Sequence, residues 1–254
     1  MPITEKRWLI LDLEAPLLAF GGVVIDQIGA TRDFPAASML TGLFANALGW
    51  KRTEAEKHQG LQDRLVFAAR IDRELPAGTL TDMQNAQLKK NDKGWTTWGI
   101  VEERDGSDAT YKAPLRRKRD YHMDARMVIA IRLEPANGEP DLERLAEALY
   151  RPARPLFIGR KPCLPSRPML AARRDDWFVD APTAYAALTR LPAADRQSRK
   201  DRLRAFWPPG EGPEEGEAVV HIYDLPDLRN WKSGLHGGHR RIIEGFVRLE
   251  EVAP

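Results

Sequence analysis

The chain has 254 residues, 43% hydrophobic and 30% charged, the balance of a soluble globular protein with a sizeable core. A net charge of +2 excludes a globally basic nucleic-acid binder, so such affinity must come from local patches. The single cysteine, Cys163, excludes an internal disulfide framework and fits a reducing cytoplasm, and no apolar run is long enough for a signal peptide or membrane span.

Residues 8–13 form a compact apolar strand. A loop through Gly21 and Gly22 comes next, and Pro35 opens a helix with Met39, Leu40, Leu43, Phe44, Ala47 and Leu48 on one face and Gly49 as its stop. Thr53 and Glu56 have the spacing of a capping box for a second short helix. Residues 65–71 read as a strand, whereas about 79–120 lose regular periodicity and read as an excursion, such as a long hairpin. Residues 127–133 are β-rich, Asn137 and Gly138 mark a turn, and Asp141 caps a helix with Leu142, Leu145, Ala146 and Leu149 inward. Residues 155–158 read as the next strand. The order strand, helix, strand, strand, helix, strand is the ferredoxin-like split βαβ arrangement shared with RNA-recognition modules. Beyond Pro168 the pattern supports a helix near 183–188, a charged stretch at 195–204, a loop at 208–216, and strands at 218–223 and 242–249. The expected class is therefore α+β, a βαββαβ domain over 1–170 and a β-containing C-terminal extension over 171–254.

The run PLFIGRKPCLPSRPML, residues 155–170, carries the most chemical information. Gly159 can take positive φ, so the chain can turn sharply and present Arg160 and Lys161 on a strand-end loop suited to a phosphate oxygen. Prolines 162, 165 and 168 stiffen the rest of the run. An ordinary proline-rich turn with surface charges reads the same way.

Lys112, Arg116, Arg117, Lys118 and Arg119 form the densest basic cluster, with no acid between 112 and 119. In an extended chain Arg117 and Arg119 share one face, Arg116 and Lys118 the other. Such a ribbon can track a phosphate backbone, or can be an edge strand kept soluble by charge. Trp95 and Trp98 nearby suit base stacking, or packing under a loop or against a partner subunit. Arg32 and Ser38 flank the start of the first helix, where free N–H groups favour an anion. Cys163 beside two cations could have a lowered pKa, but no partner base is evident. His236 and His239 in HGGHR lack the further ligands of a metal motif, and no phosphate-binding or dinucleotide fingerprint is present, so no metal or cofactor is expected.

The segments LDLEAPLLAFGG, TRDFPAASMLTGLFANALGW, LTDMQNAQL, RKRDYHMDA and ALYRPARPLFIGRKPCLPSRP occur in this order. Together they resemble the CRISPR-associated Cas-five (CasD-type) family of the type I-E Cascade complex, over about residues 7–170. The resemblance implies an RNA-recognition-like domain with an inserted β-hairpin thumb, here about 79–120. It implies a non-catalytic, cytoplasmic subunit of a hetero-oligomer that binds the 5′ handle of the crRNA and caps the backbone-subunit filament. It also implies contact with the large subunit, and through the complex with target DNA. Arg32, Ser38, Gln84, Lys112, Arg116, Arg117, Lys118, Arg119, Tyr121, Gly159, Arg160 and Lys161 are the RNA-contacting candidates on this resemblance. A type I-C relative is a metal-independent endoribonuclease with a tyrosine near the first helix and a Lys-His pair. Here that helix has no tyrosine and the later site reads Arg119-Asp120-Tyr121-His122. Cleavage by Lys118, Tyr121 and His122 is the alternative function.

Overall fold

A computed structural model of the chain describes residues 4–22, 27–74, 78–87, 89, 92–96, 99–102, 114–193 and 202–249. The centre of the molecule is a long antiparallel pair, β1 (Lys6–Leu18) and β7 (Leu115–Leu133), in register from Leu9↔Ile131 to Leu18↔His122. From Leu9 to Ala15 one face of this pair is apolar throughout; the other is apolar around Trp8, Val128 and Ala130 and farther along carries Asp12, Glu14 and Arg126, with Arg126 paired to both acids. Leu9, Leu11 and Leu13 face α1 (Ala37–Ala47) and α3 (Leu142–Tyr150), while Trp8, Val128 and Ala130 face α4 (Ala184–Arg190). Burial of these side chains, about 1.5–3 kcal/mol for each leucine and valine, fixes the register, since a one-residue slip would swap the two cores.

β3 (Leu65–Arg73) lies on the other side of β7, and β8 (Phe178–Ala181) on the outer side of β1. The order β3-β7-β1-β8 is antiparallel throughout. Beyond β3 the sheet continues through β9 (Leu203–Trp207) and β11 (Arg240–Val247) to β10 (Val219–Leu225). One sheet thus carries strands from both sides of residue 170.

The strand expected at 155–158 is not one. The Ile158 N–H donates to the Cys163 carbonyl across a turn, and its own carbonyl accepts from Ala19 N–H. Residues 158–169 run beside the second half of β1 with isolated bonds, Ser166 N–H to Glu14 O and Asp12 N–H to Met169 O. Prolines 162, 165 and 168 have no N–H to donate, which prevents a continuous ladder. The edge position goes to β8, which sequence periodicity missed because it is four residues long.

Asp141 caps α3 as expected, its Oδ1 accepting from Arg144 N–H at 2.7 Å. The Thr53–Glu56 capping box does not form. α2 (Ala55–Arg64) starts after Glu54, whose carboxylate turns back to Lys51 N–H and to Lys57 Nζ. The excursion after β3 contains β4 (Thr79–Ala86), paired with the first part of β7 from Thr79↔His122 to Ala86↔Leu115. Farther out, β5 (Gly94–Trp95) pairs with β6 (Val101–Glu102). β2 (Ile28–Gly29) adds to β7 at Lys118 and Arg119. No helix among the described residues is long and apolar enough to cross a membrane.

Candidate nucleic-acid interface

The turn after Ile158 depends on Gly159. Its φ is +85°, and a Cβ there would overlap the Ala19 carbonyl oxygen. Only glycine lets the loop press onto the end of β1 in this conformation. The turn aims Arg160 across the molecule. Its Nη1 donates to Asp120 O at 2.8 Å, its Nη2 donates to Gly29 O at 2.9 Å, and the guanidinium lies 5.0 Å from the centroid of the buried Tyr121 ring. Gly29 is tight against the same cations: a Cβ there would come 2.5 Å from Arg119 Nη1 and 3.2 Å from Arg160 Nη2. Arg160 therefore joins the glycine turn, β2 and the basic strand into one corner, with much of its donor capacity already used. Lys161 is exposed and points its charge to solvent.

The ribbon has the two faces that its sequence predicts. Register places Arg117 opposite Gln84 and Arg119 opposite Asp82, on the face of Tyr121 and Leu80. Arg116 sits opposite Asn85 and Lys118 opposite Met83, on the face of His122. Asp82 accepts from Gln84 Nε2, and Asp120 from Thr81 Oγ1. Among the described residues, Arg116, Arg117, Lys118 and Arg119 have no carboxylate partner, so their charge is open to a ligand. Lys112 and Trp98 lie outside the described residues, as does the side chain of Trp95.

The start of α1 is already occupied by an anion. Ala36, its N-cap, offers no side-chain bond, and Asp227 supplies the acceptor instead: its Oδ2 takes Ala37 N–H at 3.0 Å and its main-chain carbonyl takes Ser38 N–H at 3.3 Å. Asp227 is buried and held by Arg240 through Nε and Nη2. Arg32 turns inward to the same junction, donating from Nη2 to Pro226 O. Burial pushes its pKa down, helped by Arg240 and opposed by Asp227. The helix end thus works as an internal clasp, which sequence could not reveal because its acid is supplied from near the C-terminus.

Ser38 also helps line a cleft of about 340 Å³. Gly21, Gly22, Asn46, Phe157, Gly159 and Arg160 line it as well. So does a strap, residues 228–237, that sequence reasoning did not single out as binding surface and that contributes Arg229, Trp231 and His236. Among the described residues, none that lines it is acidic. α2 fixes the strap: Gln62 accepts from Arg229 N–H and the Trp231 indole and donates to Arg229 O, while Gln59 accepts from Trp231 N–H. Trp231 rests on His58 with centroids 4.6 Å apart, and Arg229 lies over Trp231 at 5.2 Å. Burial lowers the pKa of Arg229, with Arg52 adding to the effect, and burial followed by Arg229 and Arg32 lowers that of His236. The interleaved aromatic and basic residues of RNWKSGLHGGH were the available signal.

Two other candidates lose their chemistry in the fold. Cys163 is fully buried, and burial pushes its thiol pKa up despite Arg160, so it has no nucleophile's environment. Tyr121 and His122, adjacent on β7, face opposite sides of the strand; His122 pairs with Arg32 O at 2.7 Å and packs on Phe20. No cluster of potential metal ligands occurs among the described residues.

A family model described as CRISPR-associated protein (Cas_Cas5) matches residues 8–243. The CRISPR system Cascade subunit CasD of Escherichia coli (strain K12) is 26% identical over 164 residues, 65% of this chain and 70% of the relative. A chain of a solved CRISPR RNA-guided surveillance complex superposes with a TM-score of 0.60 at 21% identity, over 95% of this chain and 90% of that one. A crystal structure of a Cas protein superposes with a TM-score of 0.55 at 22% identity, over 97% and 96%.

Proposed function

The chain belongs to the CRISPR-associated Cas5 family, and on that premise we propose that it is the RNA-binding subunit of a type I-E Cascade surveillance complex. In this reading it holds the 5′ handle of the crRNA, caps the filament of backbone subunits and supports the large subunit in target DNA recognition. It acts in the cytoplasm as part of a hetero-oligomer and uses no cofactor. The order β3-β7-β1-β8 is read as the ferredoxin-like order, with residues 1–170 contributing most of that unit and 171–254 the extension packed on it. The β4–β7 ribbon is read as the thumb.

The observation that carries the proposal is the joining of two basic surfaces at Arg160. Among the described residues, the ribbon offers cations without carboxylate partners, and the neighbouring cleft offers arginine, histidine and aromatic side chains with no acid. Unpaired cations suit the sugar–phosphate chain, and aromatic walls suit unstacked bases. Arg32 and Ser38 enter as supports of the α1 clasp beside the cleft, and Gln84 as a polar neighbour of Arg117. A non-catalytic role is favoured over ribonuclease action because Tyr121 and His122 cannot converge on one phosphodiester from opposite faces.

The test is binding of repeat-derived handle RNA against a scrambled RNA of equal length, over a range of salt. Preferential binding that weakens steeply with salt supports the proposal. Equal, salt-insensitive binding of both, or specific cleavage of the repeat in EDTA, contradicts it.

A further inference from the structure

We infer that the cleft between Gly159, Arg160 and the 228–237 strap is a seat for one unstacked nucleotide of the bound RNA, with its base on the Trp231 side and its phosphate on Arg229. This deepens the RNA-binding reading and rests on it. The volume, about 340 Å³, is near the lower end of the roughly 300–1,000 Å³ range of small-ligand pockets, so it admits one nucleotide-sized group and not a continuous strand. Arg229 has no carboxylate or carbonyl acceptor for its guanidinium among the described residues, and its Nε is buried without a partner. A cation so placed lacks an anion. Arg160, by contrast, spends both Nη atoms on carbonyls and serves as the wall that links the seat to the ribbon.

Two features favour a nucleotide over an acidic peptide. The Trp231 ring lies 5.2 Å from the Arg229 guanidinium and Phe157 lines the same cleft, so aromatic surface and a cation meet there, as a base with an attached phosphate requires. Gly21, Gly22 and Gly159 also line the cleft, and without side chains there the backbone can come close to a flat ligand. The seat is also rigid before any ligand arrives. Gln62, buried within α2, makes three hydrogen bonds to Arg229 and Trp231, so little ordering is needed on binding. Gln62 is thus a positioning residue for the seat.

The test is a scan of handle RNAs, each lacking one base, against the full chain and the Trp231→Leu, Trp231→Phe and Arg229→Gln variants. In the parent chain, removal of one particular base should weaken binding about tenfold. In Trp231→Leu that same removal should cost nothing more, whereas Trp231→Phe should retain the effect and keep the fold. Arg229→Gln should weaken intact RNA about tenfold. If the removal of every base costs the same in Trp231→Leu as in the parent, the seat is overturned while the RNA-binding reading stays in place. Failure of the parent chain to bind intact handle RNA brings down both. If Arg229→Gln binds RNA normally but no longer assembles with the backbone subunit, the cleft takes a protein segment, and the inference is wrong.

Discussion

The Arg160 guanidinium lies 5.0 Å above the Tyr121 ring while donating to Asp120 O and Gly29 O. This contact ties the glycine turn to the basic strand and makes one surface of two segments that are far apart in sequence. It also separates the roles of two neighbouring cations, since Lys161 makes no such bonds and is exposed.

Substitution should expose that division. Arg160→Ala should lower unfolding free energy by about 1–3 kcal/mol, because carbonyls lose charged donors and Tyr121 loses its cover. Lys161→Ala should leave stability unchanged and reduce the salt dependence of RNA binding by about one phosphate contact. Denaturant melts and salt titrations measure both. A stable Arg160→Ala protein would show that the corner is held by something else.

Gly159→Ala should be far more damaging than Gly210→Ala. Both glycines have positive φ, +85° and +77°, but a Cβ at 210 meets nothing within 4 Å whereas one at 159 overlaps Ala19 O. The 210 variant should lose about 1 kcal/mol from backbone strain alone. The 159 variant should lose several times that, about 3 kcal/mol or more, because β1 and the loop must part. Urea unfolding of the two side by side decides it.

The two ribbon faces should differ in RNA binding. Arg117→Gln with Arg119→Gln removes charge from the face shared with Tyr121, and should flatten the log–log salt slope by about 1.4 for single-stranded RNA. Arg116→Gln with Lys118→Gln, on the face of His122, should change it by less than half as much. Equal effects would mean that RNA does not choose the Arg160 side.

Glu211 gives a pH prediction. Burial alone would raise its pKa, but Arg132, Ala184 N–H and Lys6 outweigh burial and hold it below the usual carboxylate range. Its contribution is therefore present above the unfolded-state pKa of about 4.3 and is lost as pH falls through the folded-state value. Glu211→Gln should lose about 2 kcal/mol at pH 7 and show a smaller further loss on acidification than the parent. Parallel stability-versus-pH curves for the two proteins would refute this.

How much the sequence reveals depends on how local each signal is. β1, β3 and β7 each contain an unbroken apolar run, at 8–11, 65–69 and 127–131, and α3 has both its cap and its apolar spacing within ten residues, from Asp141 to Tyr150. The run at 155–158 reads as a strand for the same reason, yet the prolines after it cannot complete a ladder. β8 and β9 are short, and only the sheet they join makes them strands. At the site, Gly159 is legible because its chemistry is its own. The Arg229–Trp231 surface shows in the sequence only as interleaved basic and aromatic residues; its shape does not, because it is held by Gln62 and Gln59, which are 167 and 172 residues away in the chain. The Asp227 clasp on α1 is hidden likewise, by a separation of 190 residues.

Photocrosslinking of handle RNA to the protein, read by mass spectrometry of the RNA-linked peptides, locates the RNA on the surface. Crosslinks are expected within 116–122, 157–161 and 229–236, around the corner built by Arg160 and Tyr121. Tyr150, half exposed on α3, is a built-in control on another surface. Crosslinks that gather at Tyr150 and Trp177 and spare those three segments would contradict RNA binding at that corner.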